Sequence, residues 1–237
     1  MTTPHTPHTH REFDQELSEV NGRVLQMCER VGRQLSLAVD SLASGSLDLV
    51  DQVLRHEHSV NALERAIDER AGQIIARWQP TAVDLRLLLA LVKATTDLER
   101  VGDEAKKIAL QARKIHADHR PSLLRHIDLG RMSEIAREML LAAQKSLEQL
   151  DPSAAATAAR RDIELDDAFR GAIRRLISFM IEDPRTISPC LDLVFIAKSL
   201  ERIGDHAKNI SEYVIYAVKG KDVRHTTPEE IERAAET

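Results

Sequence analysis

At 237 residues the chain has room for one or two domains, and at 43% hydrophobic but only 3% aromatic its core must be built from Leu, Ile, Val, Ala and Met. A net charge of −5 with both signs interleaved excludes a dedicated nucleic-acid binder, whose basic patch would dominate. Nine Gly and eight Pro leave little turn chemistry for an all-β fold, and neither a signal-peptide core nor an apolar run of about 18 residues or more is present. Cys28 and Cys190 lie in apolar helical contexts, with no zinc or disulfide-framework spacing, and read as buried thiols. The expectation is an all-α, cytoplasmic protein without membrane insertion.

In chain order, residues 1–11 are polar, Pro-broken and His-rich, and are expected to be disordered; His5, His8 and His10 could scavenge metal in vitro. Helical periodicity runs from about Phe13 to Leu42 and stops at Ser44-Gly45-Ser46. A second helix extends to about Trp78 on a stripe of Leu49, Val53, Val60, Leu63, Ile67, Ala71, Ile74 and Ile75, with Trp78 as a hydrophobic cap before Pro80. The third, to about Ile115, opens apolar nearly all round (Leu85, Leu87, Leu88, Leu89, Leu91) and so belongs at the centre of a bundle. Residues 116–121, ending in Pro121, form the best boundary. The plan then repeats: a fourth helix from about Leu123 to Leu150, a fifth from about Ala154 to Ile181, and a sixth from about Ile187 to Val218 with Gly220 as C-cap. Thr227, Pro228 and Glu230 occupy cap, first-turn and capping-box positions of a short terminal helix, with a frayed tail as the alternative. Short connections make neighbours antiparallel. The predicted architecture is a tandem repeat of two antiparallel three-helix bundles, six long helices in all, over residues 12–116 and 121–220 with a tail at 221–237.

The third and sixth helices carry one motif written twice. Residues 98–108 read Leu-Glu-Arg-Val-Gly-Asp-Glu-Ala-Lys-Lys-Ile and residues 200–210 read Leu-Glu-Arg-Ile-Gly-Asp-His-Ala-Lys-Asn-Ile, identical at eight of eleven positions and 102 residues apart. Each copy sets two carboxylates at i and i+4 on one helix face, Glu99/Asp103 and Glu201/Asp205, where like charges repel by a few tenths of a kcal/mol. Each also places a helix-weakening Gly between them, Gly102 or Gly204, at a cost of about 1 kcal/mol relative to Ala. The preceding helices offer a second pair at the same spacing, Glu57/Asn61 and Asp162/Asp166. Oxygen-rich pairs on adjacent antiparallel helices suit a hard or borderline cation such as Mg, Mn or Fe, with Zn possible. The second half, all acidic and with His206, Asn209 and Glu212 nearby, is expected to be the stronger site.

Plainer readings stand beside this one. The acids could be solvated helix faces, Asp103 and Lys107 an ordinary i,i+4 ion pair, and the two glycines points of close helix approach. A metal-dependent bundle enzyme would need a Glu-x-x-His motif that no helix carries; the only similar spacing, Asp222-x-x-His225, lies past the last long helix. Phosphate loops and nucleophile motifs do not stand out, so catalytic residues are not expected. His56, His58, His116, His119 and His126 read as solvated.

At the repeated Leu-Glu-Arg-(Val/Ile)-Gly-Asp motif the chain resembles the PhoU family. Gln79–Arg86, Glu182–Ile187 and Tyr216–His225 support the likeness, which spans about residues 12–225. The resemblance implies a cytoplasmic, non-enzymatic and often dimeric regulator. Its partners would be a Pst phosphate transporter (ATPase subunit) and a PhoR-type sensor histidine kinase, and it would hold the phosphate-starvation response and phosphate uptake down when phosphate is plentiful. It further implies multinuclear iron or zinc, or other divalent ions, at Glu99, Asp103, Glu201 and Asp205, joined by Asp162, Asp166, Glu57 and Asn61. Lys107 stands where some relatives have Asn. A scaffold or oligomerisation module is the competing class.

Overall fold

The structure, a computed structural model, describes residues 11–117 and 127–236. The expectations for His5, His8 and His10, for His119, Pro121 and His126, and for a helix start at Leu123 fall outside the described residues.

The first bundle consists of α1 (Arg11–Ser44), α2 (Leu47–Trp78) and α3 (Ala82–Ala117). A stripe at spacings of three and four, from Phe13 through Leu17, Val20, Val24, Met27, Val31 and Leu35 to Leu42, buries one face of α1. Gly45 turns the chain into α2 at φ 72°, and a side chain there would meet the ring of His116, whose Nε2 lies 2.9 Å from the Leu42 carbonyl oxygen. His116 is therefore a packing residue over that turn and not the solvated one expected. At the other end Trp78 sits edge-on to Phe13 and donates to Glu16 (3.1 Å), the cap the sequence suggests. The α2 stripe runs through Val50 rather than Leu49, and Ile75 is an exposed position.

The second bundle departs from the expected plan in its fifth helix. α4 (Leu129–Gln149) begins at Asp128, whose carboxylate accepts from the Arg131 amide (3.0 Å). The predicted fifth helix is two, α5 (Pro152–Arg160) and α6 (Asp162–Glu182), joined at Arg161. There the Arg161 N–H reaches back to Ala158 and its guanidinium bonds Glu138 on α4 and Glu164 on α6. Asp151 and Pro152 supply α5 with a side-chain cap and first-turn proline. A 3₁₀ turn at Pro184–Thr186 leads into α7 (Ile187–Lys219), which stops at Gly220 in the left-handed conformation. The terminal helix forms as α8 (Pro228–Glu236), closed by the reciprocal Thr227–Glu230 capping box, and buries Ile231 and Ala235 against α5 and α7.

α3 and α7 pack most extensively on each other, each keeping one exposed stripe, through Leu89, Thr96, Arg100 and Lys107 on α3 and Leu191, Phe195, Lys198 and Arg202 on α7. The remaining helices surround this central pair, and α1 touches α4. Cys28 and Cys190 are both buried free thiols, and burial pushes the Cys28 thiol up to about 12. Among the described residues no helix is long and apolar enough to cross a membrane.

Candidate functional site

In each half an apolar heptad stripe is interrupted by carboxylates, and this interruption builds the acidic faces. On α2 the buried positions step Val50, Val53, Glu57, Val60, Ile67, Ala71 and Ile74. Glu57 occupies a core position and Glu64 the vacant step between Val60 and Ile67. On α6 Asp162 takes the equivalent place ahead of Leu165, Ala172 and Leu176. Opposite them, α3 presents Glu99 and Asp103, and α7 presents Glu201 and Asp205, all partly buried.

The carboxylates of adjacent helices oppose one another's ionisation. Burial first, then Asp103, Glu64 and Glu57, hold Glu99 above the usual carboxylate range, against a smaller opposing pull from Arg100. Glu64 is raised by burial, Asp68 and Asp103. In the second half Asp205 rises to about 6, through burial and then Glu201, Asp162 and Asp166, with Lys198 opposing. The first face is thus Glu57, Glu64, Glu99 and Asp103, with Asn61 one helical turn from Glu57 on α2, and the second Asp162, Asp166, Glu201 and Asp205. Glu64 escapes a search by repeat because Phe169 stands at its equivalent, 105 residues on; the carboxylate in the heptad stripe was the available signal.

Two lysines complete the faces. Lys106 Nζ lies 2.5 Å from Glu57 Oε1 and Lys208 Nζ 2.7 Å from Asp162 Oδ2. They are 102 residues apart, the same position of the repeated motif, so this signal too was in the sequence. In the second face Lys198 also bonds both oxygens of Glu201 (2.6 and 2.5 Å). Lys107, expected beside Asp103, instead bonds Glu104 (2.9 Å).

The glycines between the carboxylates do bring helices close. A Cβ on Gly204 would run into Leu165 Cδ2, whereas one on Gly102 would lie 3.3 Å from Gln34 Oε1. The backbone of Gly102 also accepts from Gln34 Nε2 (3.1 Å).

The oxygen donors are chemically suited to Mg, Mn, Fe or Zn. Among the described residues, however, no three His, Cys, Asp or Glu side chains are gathered as a ligand set. Glu57, Asp162 and Glu201 are paired with lysine ammonium groups instead.

A separate buried network joins the two motif helices. Asp97 accepts from Tyr213 (2.8 Å) and Asn209 (3.2 Å) and lies 2.6 Å from His206 Nδ1. Glu104 accepts from Ser199 (2.8 Å), and its other oxygen lies 3.3 Å from Arg202. A cavity of about 490 Å³ beside this network is lined by Asp205, His206, Lys208, Glu212, Tyr213 and Arg224 among others. Burial raises Glu212 to about 7 and, with Asp97, holds the Tyr213 phenol above its ordinary value.

Comparison with known proteins places these features in a family. The model of the PhoU domain matches twice, at residues 24–112 and 129–214. A phosphate-specific transport system accessory protein PhoU homologue from Burkholderia sp is 42% identical over 96% of this chain and 97% of its own length. The Escherichia coli K12 phosphate-specific transport system accessory protein PhoU is 37% identical over 95% of this chain and 93% of its own. The crystal structure of PhoU from Pseudomonas aeruginosa superposes with a TM-score of 0.82 at 37% identity, covering 89% of this chain and all of that one. That from Streptococcus pneumoniae, at 24% identity and a TM-score of 0.78, shares the fold.

Proposed function

Because the chain belongs to the PhoU family, we propose that it is an accessory and regulatory protein of a phosphate transport system, acting by binding and not by catalysis. The observation that carries this reading is likeness along nearly the full length of relatives named for that role. The finer reading is that the protein couples the ATPase subunit of a Pst-type transporter to a PhoR-type sensor kinase in the cytoplasm, as a homodimer, and holds the starvation response off in high phosphate.

The mechanism is population shift. The transporter's conformation reports phosphate supply, and a protein that binds one conformation better biases the kinase in proportion to that difference in affinity. Two pseudo-equivalent acidic faces on one rigid helical core offer two docking surfaces of similar chemistry. In this reading the faces also take divalent or iron-type ions, with Glu99, Asp103, Glu57 and Asn61 serving the first half and Glu201, Asp205, Asp162 and Asp166 the second. Such an ion would supply positive charge to an otherwise anionic surface. Burial of Glu57 and Asp162 counts against faces that are merely solvated.

The test is a phosphate-starvation reporter, such as secreted alkaline phosphatase, in phosphate-rich medium. Deletion of the gene is expected to switch the reporter on and its restoration to silence it. A reporter that stays silent on deletion would overturn the regulatory reading.

A further inference from the structure

We propose that the cavity beside the Asp97–His206 network binds a phosphate group that retains a proton, as free hydrogenphosphate or as the phosphate of a small phosphorylated molecule. The proposal rests on the cavity and not on the regulatory reading, which the starvation reporter tests separately.

The cavity, about 490 Å³, lies between the later turns of α7 and residues 224–226 beyond its end, and its volume is in the range of small-molecule pockets. Its wall holds three permanent cations, Arg202, Lys208 and Arg224, against two acids, Asp205 and Glu212. Among the described residues, the acids that pair with these cations, Glu104, Asp162 and Asp222, stand outside the wall. Nor do those pairs exhaust the donors. Lys208 gives Asp162 one of its three protons, and Arg224 uses Nε and Nη2 on Asp222, so two ammonium protons and Nη1 remain for a ligand.

Two buried groups of the wall are left without partners. His206 and Glu212 are each only 5% exposed. His206 Nδ1 faces the Asp97 carboxylate at 2.6 Å and so carries a proton toward it, which leaves Nε2 of the neutral ring as an acceptor. That Nε2 is buried without a hydrogen bond, and Glu212 makes none among the described residues. Unpaired polar groups at this depth are costly, and each calls for a partner that the chain does not supply. An ion with acceptors alone would answer the cations and leave His206 and Glu212 unpaired. Hydrogenphosphate answers both sets: its oxygens accept from the lysine and arginines, and its P–OH donates to His206 Nε2 or Glu212. Sulfate, fully ionised, has no proton to donate.

The test is calorimetric titration of the full-length chain, in chelator, with sodium phosphate, sodium sulfate and AMP in turn, for wild type, Arg224→Met and Glu212→Gln. Circular dichroism checks the fold of each variant; the Arg224 side chain is 43% exposed, so its replacement leaves the core intact. Wild type is expected to bind phosphate and to bind sulfate at least about tenfold more weakly, through the acceptor that sulfate leaves unpaired. Arg224→Met should weaken phosphate about tenfold. Glu212→Gln, which puts an amide donor where an acid stood, should narrow the preference for phosphate over sulfate, a readout that a merely structural role would not move. Tighter binding of AMP would identify an esterified phosphate as the ligand, and tighter binding of sodium phosphate the free ion. Equal affinity for sulfate would overturn the proposal, as would phosphate binding that neither variant alters. Absence of binding by both phosphate and AMP would leave the cavity to ordered water and overturn it too.

Discussion

His206 Nδ1 and Asp97 Oδ1 meet at 2.6 Å across the α3–α7 interface, and the repeat places Glu104 and Ser199 in the same relation at 2.8 Å. Residues 97 and 199 are equivalent in the repeat, as are 104 and 206, each pair separated by 102. The contacts exchange partners, and residue numbers run in opposite directions along the two helices. The motif helices are therefore antiparallel about a pseudo-twofold axis between the two contacts. The half with His206 has diverged toward a richer network, since Asn209 and Tyr213 also bond Asp97.

That divergence predicts unequal costs at equivalent positions. Asp97→Ala leaves the buried His206 ring without its acceptor, at about 1–3 kcal/mol, and removes the bonds of the part-buried Asn209 and Tyr213 as well. Ser199→Ala removes one bond from a Glu104 that keeps Lys107 and Arg202, at about 1 kcal/mol. Urea unfolding of the two variants should show Asp97→Ala clearly the less stable, and equal midpoints would refute the asymmetry.

The two motif glycines should likewise differ. Gly204→Ala drives a methyl group into Leu165, which is fully buried, and overpacking of this kind costs about 1–3 kcal/mol, offset by about 1 kcal/mol of helix propensity. Gly102→Ala meets only contacts of 3.3 Å and longer and should be near neutral. Adding Leu165→Ala to Gly204→Ala should cost less than the sum of the single changes, and strict additivity would show that the Leu165 contact is not the cause.

Stability should fall as pH rises from about 4 to about 7. Asp205 is raised from 3.8 to about 6 and Glu212 from 4.5 to about 7, chiefly by burial. Both acids hold their protons longer in the folded than in the unfolded chain, so each ionisation in that window penalises the folded state. Asp222, lowered to about 2 by its bonds with Arg224, acts in the opposite sense only below 3.8. In chelator, the urea midpoint of wild type should be lower at pH 8 than at pH 5, and Glu212→Gln should shrink that difference. An unchanged difference would remove Glu212 as its source.

The long helices, their order, the twofold repetition and the end at Gly220 were legible because amphipathic spacing and cap residues are local signals. The division of the fifth helix was not. Ala154–Arg161 contains neither Gly nor Pro, and the turn at Arg161 coincides with contacts to Glu138 and Glu164 that tertiary packing supplies. The four motif carboxylates were found by repetition. Glu64 was not, because Phe169 replaces it in the other half; Lys106 and Lys208 stand in both copies, but which acid each reaches is set by the packing of the neighbouring helix. The Asp97–His206 pair joins residues 109 positions apart and follows from how the bundles dock, which local spacing does not encode.

The most direct measurement of the central claim, that the paired acidic faces carry regulation of phosphate supply, is the starvation reporter in a deletion strain grown in high phosphate. The strain is complemented at matched protein levels with wild type or with Glu99, Asp103, Glu201 and Asp205 all changed to Ala, and folding of the variant is checked by circular dichroism. The account predicts that wild type silences the reporter and the folded variant leaves it on. A variant that silences the reporter as fully as wild type would contradict it.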